Sequence, residues 1–349
     1  MKVRLGVIGT GIAATTLHLP ALQQLHDKYD VVVACNRTEQ KAKEYAALLG
    51  GVPYVLDYRD VLKRSDVDAV IVAVPIHLTY QVARDAIRTG KHVMIEKPLA
   101  ASLRQARRLV ELATASPAVT MVAEDYRYRP AFQIVKSYLD AGEIGDPFWA
   151  CWTSFELLEP SNPYAQTAWR IHQQYPGGYV TDGGIHKIAA LREIFGDVAS
   201  GMATTSRVNP TLGPVDSLML LFKTANGLDG IYAHSFSVHG YHEDRLVVMG
   251  TAGSITVEPS QITIAREGVK LRRETIAAPL GYVGEFEDFH SAIVRDTPVR
   301  STVEEGYRDL EVILTALRSA ELGRPFRLLR SPLAARAHSA RPPAARPPA

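Results

Sequence analysis

The first third of this chain alternates short apolar runs with longer amphipathic segments, and no other feature constrains its fold as strongly. The apolar runs are uninterrupted and rich in β-branched residues, as expected for strands that are buried on both faces. We predict strands at residues 3–8, 31–35, 69–74, 93–95 and 119–123, and helices at 13–25, 38–49, 58–63, 78–89 and 103–115. Strands that alternate with helices at this spacing form βαβ units, so the segment predicts a doubly wound parallel sheet.

The pattern changes near residue 148, where consecutive strands replace the alternation. We predict strands at 148–155, 201–208, 215–223, 228–238, 245–248, 254–257 and 261–266, followed by helices at 285–295 and 303–322. Consecutive strands favour an antiparallel sheet, so the chain is α/β, with a parallel-sheet domain at 1–125 and an α+β domain at 126–330. The Ala/Pro/Arg segment at 331–349 predicts a disordered tail.

The composition argues against several classes of protein. The chain has 349 residues, 46% of them hydrophobic, and a formal net charge of +2, much of which comes from arginines after residue 329. The rest is close to neutral, so we expect no nucleic-acid partner. No run reaches the roughly 18 apolar residues of a membrane span, so we expect no membrane association. Cys35 and Cys151 lie in apolar stretches and fit a reducing compartment, so we expect a cytoplasmic protein.

The first predicted strand ends in a glycine-rich turn, Gly9-x-Gly11-x-x-Ala14, which opens the first helix. Gly9 allows a tight turn, Gly11 lets a pyrophosphate approach the backbone, and Ala14 permits close packing of the helix on the strand. The N-terminus of the helix then faces the phosphates. The turn predicts a dinucleotide site that includes Gly9, Thr10, Gly11, Ile12 and Ala13. The alternative is an ordinary tight turn.

The tip of the second predicted strand bears on which dinucleotide binds. NAD enzymes usually place a carboxylate there for the ribose 2′-hydroxyl, whereas an arginine accommodates the 2′-phosphate of NADP. This chain has Asn36 and Arg37 at that place and no acid before Glu39. We therefore expect NADP. The alternative is that Arg37 is simply solvated and that NAD binds as well.

The tripeptide Glu96-Lys97-Pro98 follows the fourth long apolar run and stops it from continuing as a regular strand. Open α/β sheets bind their ligands in the crevice at the carboxyl ends of their strands. The sequence therefore predicts the Lys97 ammonium in the ligand crevice.

The segment Asp182-Gly183-Gly184-Ile185-His186 supplies a second candidate group. If a helix begins here, Asp182 and His186 lie on one face, a single turn apart. Histidine titrates near neutrality and can exchange a proton with an alcohol. The two glycines suggest that a large group, such as a nicotinamide ring, approaches the backbone. The alternative is a helix cap with a packed histidine.

With these motifs in this order, the chain resembles the glucose–fructose oxidoreductase and inositol dehydrogenase family (Gfo/Idh/MocA) over about residues 3–328. The motifs that carry the resemblance are Gly9-x-Gly11-x-x-Ala14, residues 86–98 ending in Glu96-Lys97-Pro98, Trp169-Arg170 before Gly177-Gly178, Asp182-x-Gly184-x-His186, and the two C-terminal helices. The resemblance implies a Rossmann domain followed by a domain with a large, mainly antiparallel open sheet. It also implies a homodimer or homotetramer assembled through that sheet.

In that family the lysine and histidine of these motifs form the catalytic pair, so the resemblance assigns catalysis to Lys97 and His186, with Asp182 orienting the imidazole or holding a substrate hydroxyl. The implied cofactor contacts beyond the first turn are Asn36, Arg37, Val74, Pro75, His77, Glu96, Lys97, Trp169 and Arg170. The implied substrate contacts are Lys97, Arg127, Trp169, Asp182 and His186. Alternatives remain for three of them: His77 as a surface residue, Trp169 as ordinary core and Arg127 as a simple ion pair.

The chain departs from the family's pattern at several positions. Ile76 and Thr79 stand where the family has polar residues of a Thr-Pro-Asn-x-x-His motif, and His77 is a possible substitute. Pro176 replaces the first glycine of a triplet. Ala189 stands where many members have an aspartate, so contacts inferred from that aspartate do not carry over. These departures leave the substrate open.

The resulting hypothesis is reversible oxidation of a secondary alcohol on a sugar, polyol or related compound, with NADP as the cofactor. One alternative is a lyase or glycosidase that oxidises its substrate transiently and regenerates the cofactor. Another is a cofactor-binding sensor without activity. We expect no metal, since His234, His239 and His242 lack Cys or Glu at ligand spacing.

Overall fold

The computed structural model describes residues 1–276 and 280–328, so the tail predicted at 331–349 lies outside the described residues. A six-stranded parallel sheet has the order β3-β2-β1-β4-β5-β6. Its strands are β1 (Val3–Ile8), β2 (Tyr29–Cys35), β3 (Tyr54–Val55), β4 (Ala69–Val72), β5 (His92–Glu96) and β6 (Thr120–Ala123). This order confirms the doubly wound fold. It places a topological switch point between β1 and β4, where such sheets bind ligands.

The helices between these strands match the prediction closely, except for the first. They are α1 (Leu19–Gln24), α2 (Glu39–Leu48), α3 (Tyr58–Lys63), α4 (Ile76–Arg88) and α5 (Leu103–Ala115). Residues 13–25 do not form one regular α-helix, because a π-helical turn, Ala14–His18, precedes α1. Pro20 cannot donate a backbone hydrogen bond to Thr16, and in a regular helix its ring would clash with that carbonyl. The wider π turn immediately before Pro20 accommodates this constraint.

The second sheet has nine strands in the order β14-β13-β12-β11-β7-β10-β9-β8-β15. They are β7 (Pro147–Phe155), β8 (Val198–Ser206), β9 (Ser217–Thr224), β10 (Asp229–Ser235), β11 (Glu243–Gly250), β12 (Gly253–Glu258), β13 (Gln261–Arg266), β14 (Arg272–Thr275) and β15 (Phe326–Arg327). Only β7 and β10 pair in parallel; the other pairs among the described residues are antiparallel. The predicted mainly antiparallel sheet is therefore confirmed.

Helices of the second half cover one face of this sheet and connect it to the first. They are a 3₁₀ turn (Asp125–Tyr128), α6 (Pro130–Asp140), α7 (Ala168–Ile171), α8 (Gly178–Asp182), α9 (Ile185–Phe195), a second 3₁₀ turn (Pro210–Leu212), α10 (Tyr282–Arg295) and α11 (Val303–Leu322). Among the described residues, no helix combines the length and the apolar character that crossing a membrane requires.

Helix α10 returns to the first sheet although it follows the second in sequence. Phe286 and Phe289 are fully buried in the same apolar cluster as β1 and β2, and the Tyr29 hydroxyl donates a 2.6 Å hydrogen bond to the Phe286 carbonyl. The Val122 amide likewise bonds to the Ser301 carbonyl before α11. The two sheets therefore pack against each other through these contacts. The division of the chain into two domains at 125/126 stays a prediction.

A buried ion cluster supports this packing. The Asp309 carboxylate on α11 accepts two 2.8 Å hydrogen bonds from Arg127 and one of 2.5 Å from Arg192. The side chains of all three residues are no more than 3% exposed. Two guanidinium groups buried at this depth depend on carboxylates for the compensation of their charge.

We predict that Asp309→Asn lowers the free energy of unfolding by about 3–5 kcal/mol, because it leaves buried arginines without their shared carboxylate. Chemical denaturation followed by circular dichroism measures this change. The matched control on the same helix is Glu321→Gln, which breaks an ion pair with Arg318 whose partners are 67% and 59% exposed. The control should change stability by less than about 0.5 kcal/mol. Equal effects of the two substitutions would contradict the interpretation.

Candidate active site

The turn after β1 lies at the switch point of the first sheet and requires glycine. Gly9 has a φ of +99°, a left-handed conformation that favours glycine, and a Cβ at this position would collide with the carbonyl oxygen of Ala73. The Gly9 amide donates to the carbonyl of Cys35 at 2.8 Å, which holds the turn against the end of β2. The sequence interpretation of Gly9 as the tight-turn residue therefore has a direct steric basis.

Gly11 differs from Gly9, because an added Cβ would meet no atom within 4 Å. The turn thus leaves an open cradle beside the first residues of the helix, Ile12 and Ala13, whose amides have no preceding helical partner. Backbone amides at a helix N-terminus attract an anion. These residues fit the pyrophosphate of a dinucleotide.

The side-chain amide of Asn36 stabilises the tip of β2. Its Nδ2 donates a 3.0 Å hydrogen bond to the Thr10 hydroxyl, and its Oδ1 accepts one of 2.9 Å from the Thr38 amide. Thr10 in turn donates to the carbonyl of Lys41. Thr10 and Asn36 therefore shape the turn in addition to any contact with a nucleotide.

Arg37 and His77 lie on neighbouring segments at this edge. Arg37 is exposed and makes no hydrogen bond or ion pair with the residues that the structure describes. His77 lies in the first turn of α4, and burial together with the Arg37 charge lowers the pKa of its imidazole. Its Nδ1 is buried without a partner among the described residues. Both side chains are thus available to a ligand.

The strand–helix turn after β4 is formed by Val74 and Pro75. Pro75 precedes α4 with an extended backbone, and both residues are half-buried beside the Gly9 turn. Ile76 and Thr79, the two departures from the family pattern, are buried against the core at 2% and 1% exposure. They therefore serve packing in this chain.

Lys97 follows the last residue of β5 and points toward the second half of the chain. Its Nζ donates a 2.8 Å hydrogen bond to the Asp182 carbonyl and one of 3.1 Å to Asp182 Oδ1. Burial alone would lower the pKa of the ammonium, but Asp182, Glu96 and Glu124 outweigh burial and raise the pKa above its usual value. Lys97 is therefore a fixed cation, and 16% of its side chain remains exposed.

Asp182 binds Lys97 and Arg170, which changes the role expected for it. Its second oxygen accepts a 2.6 Å hydrogen bond from Arg170 Nε. Burial would raise the pKa of the carboxyl, but the two cations hold it at about 2. Among the described contacts, the Asp182 carboxylate makes no hydrogen bond to His186. Of the two roles expected for Asp182, orienting the imidazole is therefore not supported, because both oxygens are already engaged by Lys97 and Arg170.

Trp169 and Arg170 lie on the short helix α7, next to this ion chain. The Arg170 guanidinium stacks 4.0 Å from the Trp169 ring and 4.8 Å from the Tyr164 ring. Trp169 also packs against Tyr175, with ring centroids 5.8 Å apart. Trp169 is half-buried, so the structure gives it a packing role and leaves part of its surface free.

His186 in the first turn of α9 is oriented by Glu124, a residue that the sequence motifs did not indicate. Its Nδ1 lies 2.6 Å from Glu124 Oε1, and the Tyr126 ring stacks on the imidazole at a centroid distance of 4.8 Å. Burial and the Lys97 charge lower the pKa of His186 to about 3. The imidazole is therefore neutral near pH 7, and 17% of the side chain is exposed.

The glycines before His186 approach protein side chains. A Cβ on Gly183 would lie 2.7 Å from Phe236 Cζ, and one on Gly184 would collide with the Val180 carbonyl oxygen and lie 3.2 Å from the Tyr232 hydroxyl. Tyr232 belongs to β10 and Phe236 follows that strand, so these glycines let the second sheet pack against the turn between α8 and α9. Close packing within the protein is thus a sufficient reason for glycine at both positions.

Glu96 and Arg127 are engaged within the protein. Glu96 Oε1 lies 2.8 Å from His18 Nε2 of the π turn, so Glu96 connects the end of β5 to the first helical segment. Arg127 forms ion pairs with Asp309, Glu193 and Glu305, and its side chain is only 2% exposed. This geometry favours the ion-pair alternative for Arg127 over a direct substrate contact.

Glu124, Asp125 and His186 offer potential metal-ligand atoms within 4.8 Å of one another. However, Asp125 is paired with Arg129 at 2.9 Å, and Glu124 is bonded to His186. We therefore interpret the group as a hydrogen-bonded cluster.

The arrangement of a dinucleotide turn, a strand-end lysine and a buried histidine agrees with the comparisons to known proteins. Residues 3–124 match the model of an oxidoreductase family with an NAD-binding Rossmann fold, and residues 132–256 match the GFO/IDH/MocA C-terminal domain. The chain belongs to the Gfo/Idh/MocA family. It is an NAD(P)-dependent oxidoreductase with an NAD-binding Rossmann domain.

Relatives within this family cover most of the chain. The uncharacterized protein YMR315W of Saccharomyces cerevisiae is 31% identical over 264 residues, 74% of either chain. D-xylose 1-dehydrogenase (NADP(+)) of Haloarcula marismortui is 26% identical over 343 residues, 93% of either chain. The crystal structure of an oxidoreductase from Thermotoga maritima has a TM-score of 0.89 at 32% identity, covering 94% of this chain and 98% of that one.

We predict that Gly11→Ala folds normally but binds NADPH about tenfold or more weakly, because the new methyl group occupies the cradle that a pyrophosphate would enter. Fluorescence titration measures the affinity. Thermal unfolding without nucleotide is the control, and it should show stability within about 1 kcal/mol of the parent protein. Unchanged NADPH affinity in a folded Gly11→Ala protein would place the pyrophosphate elsewhere.

Proposed function

We propose that this protein reversibly oxidises a secondary alcohol of a sugar, polyol or related small molecule, with Lys97 and His186 as the catalytic pair. The observation that carries the proposal is that both side chains, each about one-sixth exposed, lie close enough at the carboxyl end of β5 for the Lys97 charge to act on His186. One is a fixed cation and the other a neutral imidazole. This combination suits an oxygen that gains negative charge and exchanges a proton.

Lys97 donates a hydrogen bond to the reacting oxygen and stabilises the charge that develops there. Two of its interactions already go to Asp182, so its direction is set before the substrate binds. His186 exchanges the hydroxyl proton through Nε2, which has no hydrogen-bond partner among the described residues. Trp169 and Asp182 border the same space and are proposed substrate contacts.

The residues that would hold a nicotinamide dinucleotide are the Gly9–Ala13 turn, Asn36 and Arg37 at the tip of β2, and Val74, Pro75 and His77 at the start of α4. When bound, the nicotinamide supplies the acceptor or donor of the hydride. Glu96, Lys97, Trp169 and Arg170 lie around the end of β5, and we propose them for the nicotinamide end of the site.

NADP is the proposed dinucleotide. Arg37 is exposed at the tip of β2 without an ion pair among the described residues, and no carboxylate precedes Glu39. An unpaired guanidinium at this position favours a 2′-phosphate. The Haloarcula marismortui relative carries NADP(+) in its name, which is consistent with this choice.

We also propose that the protein is a cytoplasmic homodimer or homotetramer assembled through the second sheet. The face of this sheet away from the helices exposes Met202, Met219, Leu221 and Met249. Exposed apolar side chains on one face of a sheet favour association. Light scattering of the purified protein distinguishes the proposed oligomers from a monomer.

The function is tested by incubating the protein with NADPH or NADH and a panel of keto-sugars, and with NADP or NAD and a panel of sugars and polyols. We expect net change in NADPH absorbance with at least one compound. A lyase or glycosidase that regenerates its cofactor would convert substrate without such a change. Binding of NADPH without conversion of any compound would favour a sensor.

Lys97→Met is expected to reduce turnover on the order of a hundredfold to a thousandfold, because it removes the cation at the reacting oxygen. NADPH affinity should change little. The matched control is Lys63→Met, which alters a lysine 75% exposed on α3 and should leave turnover unchanged. Near-normal turnover in the Lys97→Met protein would refute the proposed catalytic pair.

Arg37→Ala should weaken NADPH binding roughly tenfold to a hundredfold, because a charge-assisted contact to the 2′-phosphate is lost. NADH has no such phosphate, and its affinity should stay within about threefold. Parallel titrations of both nucleotides measure the difference. A parallel loss of both affinities would show that Arg37 does not discriminate between them.

A further inference from the structure

Glu124 is the direct partner of the proposed catalytic histidine, although 62 residues separate the two in sequence. It follows the last residue of β6 and is 1% exposed. Its Oε1 lies 2.6 Å from His186 Nδ1 and also accepts a 3.2 Å hydrogen bond from the Tyr126 amide. A carboxyl group buried at this position serves an internal contact and is not available to solvent.

The surrounding residues prevent the imidazole from turning away from Glu124. The Tyr126 ring lies parallel to it within 18°, and the Arg129 guanidinium covers the Tyr126 ring at 3.4 Å. Arg129 is itself held by Asp125 at 2.9 Å. This stack fixes the plane of His186 and directs Nδ1 toward Glu124, so Nε2 remains for the substrate.

We propose that Glu124 is a positioning residue that receives the Nδ1 proton of His186 when Nε2 takes the proton of the alcohol. The inference rests on the proposed function, because it assigns the fate of the proton in that reaction. Glu124 touches the histidine and not the substrate.

Two protons move in this step. The O–H bond of the alcohol breaks and an N–H bond forms at His186 Nε2. The Nδ1–H bond breaks and an O–H bond forms at Glu124 Oε1. The imidazole is neutral before and after, and the net proton resides on Glu124. The C–H bond of the alcohol breaks, and its hydrogen leaves with the electron pair as a hydride to an oxidised nicotinamide dinucleotide, the co-reactant of the family's oxidoreductase activity.

The charges around the pair favour this outcome over an imidazolium ion. Burial, followed by the Lys97 charge, lowers the pKa of His186 to about 3. Burial, followed by the Asp309 charge, raises the pKa of Glu124 to about 8. The first proton that the pair takes up as the pH falls therefore resides on the carboxyl group, and Glu124 must be ionised before it can receive the proton of the alcohol.

The charged and titratable groups that act on the pair come from several elements: Glu96 and Lys97 from the end of β5, Asp125, Arg127 and Arg129 from the turn after β6, Glu285 from α10, and Asp309 from α11. Burial raises the pKa of Glu285 well above its usual value, which keeps that carboxyl neutral. Lys97 is the cation that acts most strongly on both members of the pair.

Nuclear magnetic resonance of protein labelled with ¹⁵N in its histidine rings tests the proposal without a substrate. Two-bond ¹H–¹⁵N spectra are recorded between about pH 6 and pH 10, and the His186 signals are identified by their loss in His186→Asn. We expect Nδ1 to carry the proton at high pH. As the pH falls through about 8, Glu124 gains a proton and the imidazole proton should move to Nε2.

Glu124→Gln should abolish this change of tautomer, because an amide cannot take the proton. Glu321→Gln, which alters a carboxylate 67% exposed on α11, is the control, and the change should persist there. An imidazolium signal near neutral pH, or one tautomer throughout in the parent protein, would overturn the proposal. The parent spectra decide the question even if Glu124→Gln does not fold.

A substrate identified by the activity panel adds a second readout. The rate of alcohol oxidation should rise through about pH 8 in the parent protein. In Glu124→Gln the rise should occur at lower pH, and the maximum should be about a hundredfold lower. A lower maximum with an unchanged pH profile would indicate a merely structural role. Normal turnover of the Lys97→Met protein would refute the proposed function but not the role of Glu124. The change of tautomer is measured without a substrate and does not depend on turnover.

Discussion

The contact between Lys97 and Asp182 is the interaction on which the proposed active site depends. Lys97 follows the last residue of β5 in the parallel sheet, and Asp182 is the last residue of α8 in the second half of the chain. A 2.8 Å hydrogen bond to the backbone and a 3.1 Å bond to the carboxylate join the two halves at the carboxyl end of β5. Because Arg170 holds the other carboxylate oxygen, the aspartate stays ionised and the lysine stays charged.

This fixed charge pattern divides the chemistry between two groups. A permanently cationic Lys97 can stabilise negative charge on an oxygen, but it is a poor proton acceptor. The same cation, after burial, disfavours a charge on His186. The proton that an alcohol releases therefore needs a further acceptor, and the Glu124 carboxyl is placed to receive it.

The sequence predicted most of the fold because its signals are local. Strand β1 and helices α3, α5 and α11 have the predicted bounds, since hydrophobic periodicity and caps such as Ser102 act over a few residues. The helix expected at 13–25 is interrupted by a π-helical turn before Pro20, a local distortion that apolar periodicity does not reveal.

The partners of the site residues were harder to predict, because they depend on long-range packing. The motifs indicate Lys97 and Asp182 as candidate site residues. They do not predict that the two side chains form a hydrogen bond across 85 positions of the sequence. Glu124 carries no motif beyond its place at a strand end, which is a signal that could have indicated it. Gly183 accommodates Phe236, which follows β10, a long-range contact that the local sequence does not reveal.

The most direct test of the central claim follows the hydrogen that is transferred. NADPH carrying deuterium at both C4 positions is consumed in the presence of a keto-sugar that the protein reduces, and the alcohol product is examined by mass spectrometry. Hydride transfer at the Lys97–His186 site predicts one deuterium, bound to carbon, in every product molecule. Substrate conversion that leaves the product without deuterium would contradict the account.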